Sequence, residues 1–530
     1  MIDKNKPLVV INNVVKKYKD KEALKGVSLT INPGDRIGII GANGSGKSTV
    51  SEIIGGIRKA TSGSVTKQEE MVIGLQFQES KYPVGITVID MLKYYLETFS
   101  IPMKESELDL LLKTYQISDF KNKFIVSLSG GQQQRLNILL SLIHNPDLVI
   151  LDEVSTGLDI EVRSEIFKHI KEQIVEKDKA LILVTHMMSE VEELCERFVY
   201  IHEGVIIEEG LVADIVKKYG SVHNYTWEKF AIHKSKSNLE REALISEQQK
   251  QIKKNKVDRI INDERIKGKN IPLSKLLFKY YLKGGAVPFF VFIFPIILLF
   301  LQGFAFQNIG GEGTIHGIIG ALAAMQIIAC GIFIIPQTIL DFKNSVLMKR
   351  IGATNIKPFV FVLTVNLTGI LIMILGFLWT LLMGALMFGW GDMGWSIAWA
   401  NLTGPSLLFL LLILISAISL GMMLASIFKS TTTYIAVSNV IYMPVAFLSG
   451  SFLPTSMIEG SDVLKYATYI NVFKYCLEPF NKAWSSGDTI MGNSTVEFNF
   501  DWLMGLYVGL AIVLICVYSF VSSRKMKWES

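Results

Sequence analysis

The first grouping able to do chemistry is GANGSGKST, residues 41–49. Gly41, Gly44 and Gly46 let backbone N–H groups converge on phosphate oxygens, and a helix starting behind them adds a favourable dipole. In such a loop Lys47 reaches the terminal phosphates, and the Ser48 hydroxyl binds Mg2+. A second grouping is LVILDE, residues 148–153, an apolar run ending in two carboxylates. Asp152 is placed to hold Mg2+ through water, and Glu153 to act as general base on an attacking water. LILVTH ends in His186, which meets the γ-phosphate if its strand opens on the same sheet edge. Gln78, at the end of IGLQFQ, touches Mg2+ or the water on the same logic. The chemistry written here is hydrolysis of a nucleoside triphosphate. LSGGQQQR, residues 128–135, is a further serine- and glycine-rich run suited to phosphate.

Such groups need a sheet whose strand ends converge. Over the first 220 or so residues, short β-rich runs (LVVINNV, RIGII, LVILD, LILVTH) alternate with helical stretches, the pattern of an α/β domain with a mostly parallel sheet. The whole chain has 530 residues, 50% of them hydrophobic and 19% charged, and the two halves differ. From Ala286 to Val521 charges occur only in islands between long apolar runs. The expected organisation is an α/β domain over 1–222, a charged linker over 223–271, and an all-α membrane domain over 272–530. PLSKLLFKYYLK, residues 272–283, places Lys275, Lys279 and Lys283 four apart, as in a helix lying in the membrane interface.

Spanning a bilayer takes about 20 apolar residues. Six stretches qualify, near 287–306, 317–340, 358–388, 405–427, 431–453 and 502–522. Lys343, Lys349, Arg350 and Lys357 follow the second, Lys429 the fourth, and Arg524, Lys525 and Lys527 the last, which puts these flanks and both termini in the cytosol. Glu312, Asp392 and the long segment Pro454–Asp501 then lie outside. The start MIDKNKPLVV has no apolar core of signal-peptide length. A net charge of +5, spread over the linker and the span flanks, does not imply nucleic acid. Cys195, Cys330, Cys476 and Cys516 stand singly, as packing residues do.

Tyr18, GANGSGKST, Gln78, LSGGQQQR, LVILDE, TGLD and His186 occur in the order and approximate spacing of the ATP-binding cassette (ABC) ATPases, which residues 7–220 resemble. The resemblance implies a P-loop NTPase fold binding ATP and Mg2+. It implies that Tyr18 stacks on adenine, and that Ala42, Asn43, Ser45 and Thr49 join Gly41, Gly44, Gly46, Lys47 and Ser48 around the phosphates. Glu153 and His186 become the hydrolytic pair. Two cassettes of this family associate head to tail, so Ser129, Gly130, Gly131 and Gln132 would contact ATP held by a second chain, and Asp159 would line the dimer interface. Val154 departs from the family pattern, where proline commonly follows the glutamate.

Residues 275–525 resemble the ABC type 2 permeases, through the apolar stretches, the basic loop DFKNSVLMKRIGATNIKP and FLSGSFLP. A cassette fused to such a domain resembles a half-transporter of the cell membrane, and one identical partner chain is favoured over a related one. The implied function is ATP-driven export of a lipophilic or amphipathic substrate: a drug, peptide, lipid or glycan precursor. The apolar stretches exclude a soluble ATPase of translation or DNA repair. The rival reading is a membrane sensor that uses ATP to reshape its outer segment and moves no cargo.

Overall fold

The computed structural model describes residues 3–18, 21–76, 81–155, 158, 160–235, 261–263, 271–284, 286–353, 356, 358–392, 394–448, 461–485 and 502–525. Two compact units emerge: Met1–Leu276 with Ser345–Pro358, and Leu277–Asn344 with Phe359–Ser530.

The strands of the first unit are β1 (Val9–Tyr18), β2 (Lys21–Ile31), β3 (Arg36–Ile40), β4 (Ser62–Lys67), β5 (Ile73–Leu75), β6 (Leu148–Asp152), β7 (Ala180–Val184), β8 (Arg197–His202), β9 (Val205–Leu211) and β10 (Ile261–Asp263). Its main helices are α1 (Lys47–Ile54), α2 (Val88–Thr98), α3 (Glu105–Thr114), α4 (Gly130–Leu142), α5 (Ile160–Ile170), α6 (Met188–Leu194), α7 (Val212–Tyr219) and α8 (Val222–Ser235). One sheet has the order β10-β4-β1-β2 and the other β5-β6-β7-β3-β8-β9. In the second sheet β5, β6, β7, β3 and β8 run parallel, and β9 closes one side antiparallel. Every residue of β6 and β7 is buried, as expected of parallel strands covered on both faces. α1 packs against β6 and β7, and α4 against β5 and β6. Two elements, α8 and β10, fall within the stretch read as a charged linker. α8 is held by buried Val222 and Tyr225, the latter edge-on to the rings of Phe198, Tyr200 and Tyr219. An i, i+3 pair of apolar residues is too short a pattern to stand out among so many charges.

The second unit is helical. Three described helices are long and apolar enough to cross a membrane: Thr314–Lys343, Phe359–Phe388 and Gly404–Ile427. Phe289–Ala305 and Leu506–Ser522 are shorter apolar helices. Helical backbone continues from Phe294 to Ala329, through the stretch expected to be an outer loop. That run is not straight. Gln326 Nε2 donates to Phe290 O at 2.7 Å, and the Phe290 and Phe333 rings stack at 5.9 Å. Straight helix would separate Phe290 from Gln326 by about 54 Å. The chain therefore doubles back between these residues. Helix Ile271–Lys283 forms where the amphipathic pattern placed one, burying Leu273, Leu276, Leu277 and Tyr281.

The helix Phe359–Phe388 exposes Leu363, Leu367, Leu371, Leu378, Leu382 and Leu386, spaced four or seven apart along one side. Water tolerates no such stripe, whereas lipid favours it. Elsewhere the helices approach closely. A Cβ on Gly421 would lie 2.2 Å from Gly331 O and 3.1 Å from Pro336 Cγ. Small residues at such crossings let backbones touch. Gly421→Leu is expected to force these segments apart at a cost of about 1–3 kcal/mol. Thermal unfolding of the detergent-solubilised protein should show the loss; an unchanged midpoint would mean that this contact is absent.

Candidate nucleotide site

β3 lies between β7 and β8, so the loop that leaves it emerges mid-sheet at the strand ends where α/β folds bind ligands. Gly41 has φ 151°, and a Cβ there would sit 2.1 Å from Ile201 O. Only glycine fits. Gly46, at φ 109°, occupies the N-cap of α1. Lys47 Nζ donates to Gly41 O at 2.8 Å and to Ala42 O at 2.9 Å, so the lysine arches over its own loop. Burial holds Lys47 below its ordinary pKa, against the opposing pull of Asp152 and Glu153. Asn43, Gly44 and Ser48 are exposed, whereas Ser45 is buried and its Oγ has no hydrogen-bond partner among the described residues. Thr49 hydrogen-bonds the Tyr18 hydroxyl, which ties the tyrosine at the end of β1 to this loop. Arg58 sits over the Tyr18 ring at 5.1 Å and Lys16 at 5.4 Å.

Asp152 ends β6, buried. Burial pushes its carboxyl up to about 6, although the Ser48 hydroxyl bond and the Lys47 charge pull the other way. Next to it, Glu153 takes φ 54°, a left-handed conformation that costs a non-glycine residue on the order of 1–3 kcal/mol. Its N–H donates to Val184 O at 2.8 Å. The turn aims the carboxylate at His186, whose Nδ1 lies 3.6 Å from Glu153 Oε1. Lys47, Ser48, Asp152, Glu153 and His186 thus meet at one sheet edge.

Two glutamines not singled out from sequence hold this turn. Gln134 Nε2 donates to Glu153 O at 3.1 Å and to Val154 O at 2.9 Å. Gln76 Oε1 accepts from Asp152 N–H at 2.7 Å, and Gln76 Nε2 reaches Gln134 Oε1 at 3.5 Å. Val154 itself is fully buried, so the residue that replaces the family's proline still packs. Ser155 Oγ hydrogen-bonds the fully buried Glu190 of α6. Gln78 and Asp159 lie outside the described residues.

Ser129 caps α4. Its Oγ accepts from Gln132 N–H at 3.3 Å, and Gln132 Oε1 accepts from Ser129 N–H at 3.1 Å, a reciprocal capping box. Among the described residues no hydrogen bond links Ser129, Gly130, Gly131 or Gln132 to Gly41–Thr49. Ser129 and Gly130 are exposed at the helix start.

The amide of Gln134 restrains two consecutive carbonyls of a strained turn. Gln134→Leu is expected to preserve nucleotide binding while lowering ATP turnover by about tenfold or more, since one ångström of misplacement costs that much. Turnover equal to wild type at saturating ATP would remove Gln134 from the positioning of Glu153.

Comparison with known proteins covers both halves. The family described as ABC transporter matches residues 24–156, and the family described as ABC-2 type transporter matches residues 273–483. An uncharacterized ABC transporter ATP-binding protein of Methanocaldococcus jannaschii is 34% identical over 215 residues, 40% of this chain and 81% of that protein. A methionine import ATP-binding protein of Enterococcus faecalis is 29% identical, over 46% of this chain and 75% of its own length. An ATP-binding cassette solved as a dimer in a post-hydrolysis state with ADP and Pi is 29% identical, covers 38% of this chain and 98% of that one, and superposes with a TM-score of 0.35. With a phosphate loop, two carboxylates and a histidine at one sheet edge, and with both families matched in tandem, the chain belongs to the ABC transporters, an ABC ATPase cassette fused to an ABC-2 type membrane domain.

Proposed function

We propose that this chain is one half of a dimeric exporter of the cell membrane, in which ATP turnover at two shared cassette interfaces moves a lipophilic or amphipathic substrate outward. Support comes chiefly from one observation. Ser345–Pro358, which lies in sequence between two apolar helices, belongs to the compact unit of the cassette and buries Arg350 completely there. A motion of the cassette is then felt directly by the segments that flank the helices. The outward direction is read from the ABC-2 type domain, because the cassette by itself is also similar to an import protein. The membrane is crossed several times, with both termini and the basic flanks on the cytosolic side.

In this reading Tyr18 stacks on adenine, Gly41–Thr49 wrap the phosphates, and Lys47 turns from its own carbonyls to the terminal phosphates. Ser48 and Asp152 fit Mg2+: both are hard oxygen donors, already in hydrogen-bond contact. Bound there with Gln78, the ion would offset charge on the phosphate oxygens. Glu153 takes the proton of the attacking water, and His186 holds the γ-phosphate. Ser129, Gly130, Gly131 and Gln132 act on ATP held by a second chain, in keeping with the lack of any hydrogen bond among the described residues from them to this chain's own loop, and Asp159 lines the contact between the two. The full set of Lys47, Asp152, Glu153 and His186 makes a pair of identical chains competent at both sites, which favours the homodimer.

Glu153→Gln is expected to bind ATP and to lower its turnover by about 10²-fold or more, as loss of a general base does. A wild-type rate would withdraw that role from Glu153. Ser129→Asp offers a cleaner test of the second chain, because aspartate still caps α4 but opposes phosphate with negative charge. Nucleotide binding should survive in it while turnover is lost; loss of binding would contradict the shared site.

A further inference from the structure

Two consecutive cations on the helix Val346–Ala353 reach different parts of the cassette. The helix is pinned at its start, where Val346 N–H donates to Lys81 O at 2.7 Å. Lys349 Nζ lies 3.1 Å from Glu52 Oε1, on α1. The other oxygen, Glu52 Oε2, accepts from Arg58 Nε at 2.5 Å, and Arg58 is the guanidinium over the Tyr18 ring. These pairs are partly buried, the Lys349 and Glu52 side chains being 25% and 16% exposed, so water screens them less than a surface pair.

Arg350 points elsewhere. Its Nη2 donates to Asn137 Oδ1 at 2.6 Å and its Nε to the Tyr82 hydroxyl at 2.9 Å, and Tyr82 in turn donates to Asn137 Oδ1 at 2.7 Å. Asn137 stands on α4 one turn beyond Gln134, on the same face. Gln134 holds the carbonyls of Glu153 and Val154, and the start of α4 carries Ser129–Gln132. One cation therefore leads to the phosphate-loop helix and Tyr18, the other to the helix that braces the catalytic turn.

We propose that Lys349 and Arg350 are positioning residues with separable tasks, Lys349 setting the affinity for ATP and Arg350 setting its turnover. The proposal rests on the reading above that Tyr18 stacks on adenine and that α4 serves turnover. Glu52 divides its charge between Lys349 and Arg58. Without Lys349 the Glu52 carboxylate pulls harder on Arg58 and draws it away from the Tyr18 ring, so the ring keeps Lys16 but loses the nearer of its two cations. Without the Arg350 fork, Asn137 keeps the Tyr82 hydroxyl but loses its charged donor, and α4 loses its link to the helix Val346–Ala353, whereas the phosphate loop keeps its own contacts.

Equilibrium ATP binding and kcat, measured on the full-length protein in lipid nanodiscs, test the division. Lys349→Gln is expected to raise the Kd for ATP by about fivefold, at the low end of typical coupling, with kcat retained at saturating ATP. That effect should disappear in a Glu52→Gln background, because the two changes act through one contact. Arg350→Lys keeps the charge but loses the fork, and it is expected to lower kcat by about tenfold with Kd within about twofold of wild type. Asn137→Ser, which keeps Arg350 and removes its acceptor, should give the same split even if Arg350→Lys does not yield folded protein. Kd and kcat moving together in both the Arg350 and the Asn137 variants would overturn the proposal. So would a Lys349→Gln effect that persists undiminished with Glu52→Gln, or an unchanged Kd in Lys349→Gln while Tyr18→Ala weakens binding. An unchanged Kd in Tyr18→Ala overturns instead the adenine reading, and the Lys349 half falls with it.

Discussion

A guanidinium cannot shed its charge, so burying one forces its surroundings to supply hydrogen bonds or pay several kcal/mol. Arg350 is fully buried, and it donates to groups from three separate stretches, Tyr82, Tyr95 and Asn137. The helix Val346–Ala353 thus adds a charged link to residues of which Tyr82 and Asn137 are already joined by their own hydrogen bond. The cassette is in this sense completed by a piece of chain that follows a membrane helix in sequence. Other contacts of the same segment are apolar, with Val346, Leu347 and Ile351 buried beside the arginine. Their burial drives association without direction, and the hydrogen-bonded fork fixes its register.

From that anchor the nucleotide site can be followed by contact. Asn137 shares α4 with Gln134, Gln134 holds the backbone of Glu153 and Val154, and Gln76 holds both Gln134 and the Asp152 amide. The bonds restrain a turn that glutamate would otherwise avoid, with Glu153 at φ 54°. Strain of this kind persists where neighbours over-determine it, and here it brings the Glu153 carboxylate next to His186. Electrostatics at the same place favour an incoming cation and anionic phosphates. Burial raises the Asp152 carboxyl to about 6 and lowers Lys47, so each charged form gains from a bound partner of opposite charge.

Contiguous motifs are legible from the residues themselves. GANGSGKST and LVILDE carry their chemistry in adjacent positions, and the strand-to-helix context of each depends on local periodicity. The apolar stretches are equally plain, as is the reversal between Phe290 and Gln326 that the charge pattern requires. Features that depend on contacts between distant residues are hidden. Along the chain Arg350 is only one of several basic residues flanking a span, yet in the fold it is buried. Gln76 and Gln134 act through side-chain amides on backbone atoms far along the chain, a role that leaves no mark in composition or spacing. The run LSGGQQQR suggests phosphate contacts for Ser129 and Gln132, and the fold adds that they also cap α4 with each other. α8 and β10 are masked by a charged stretch whose few apolar residues show no period.

The central claim is that ATP turnover in the cassette drives substrate across the membrane domain. It is tested most directly by ATP-dependent accumulation of a panel of lipophilic dyes and amphipathic peptides in inside-out vesicles containing the full-length protein. The account predicts uptake of at least one such compound with hydrolysable ATP and none with a non-hydrolysable analogue. Steady ATP hydrolysis with no accumulation of any compound in the panel would contradict it, and would leave a membrane ATPase that moves no cargo of this class.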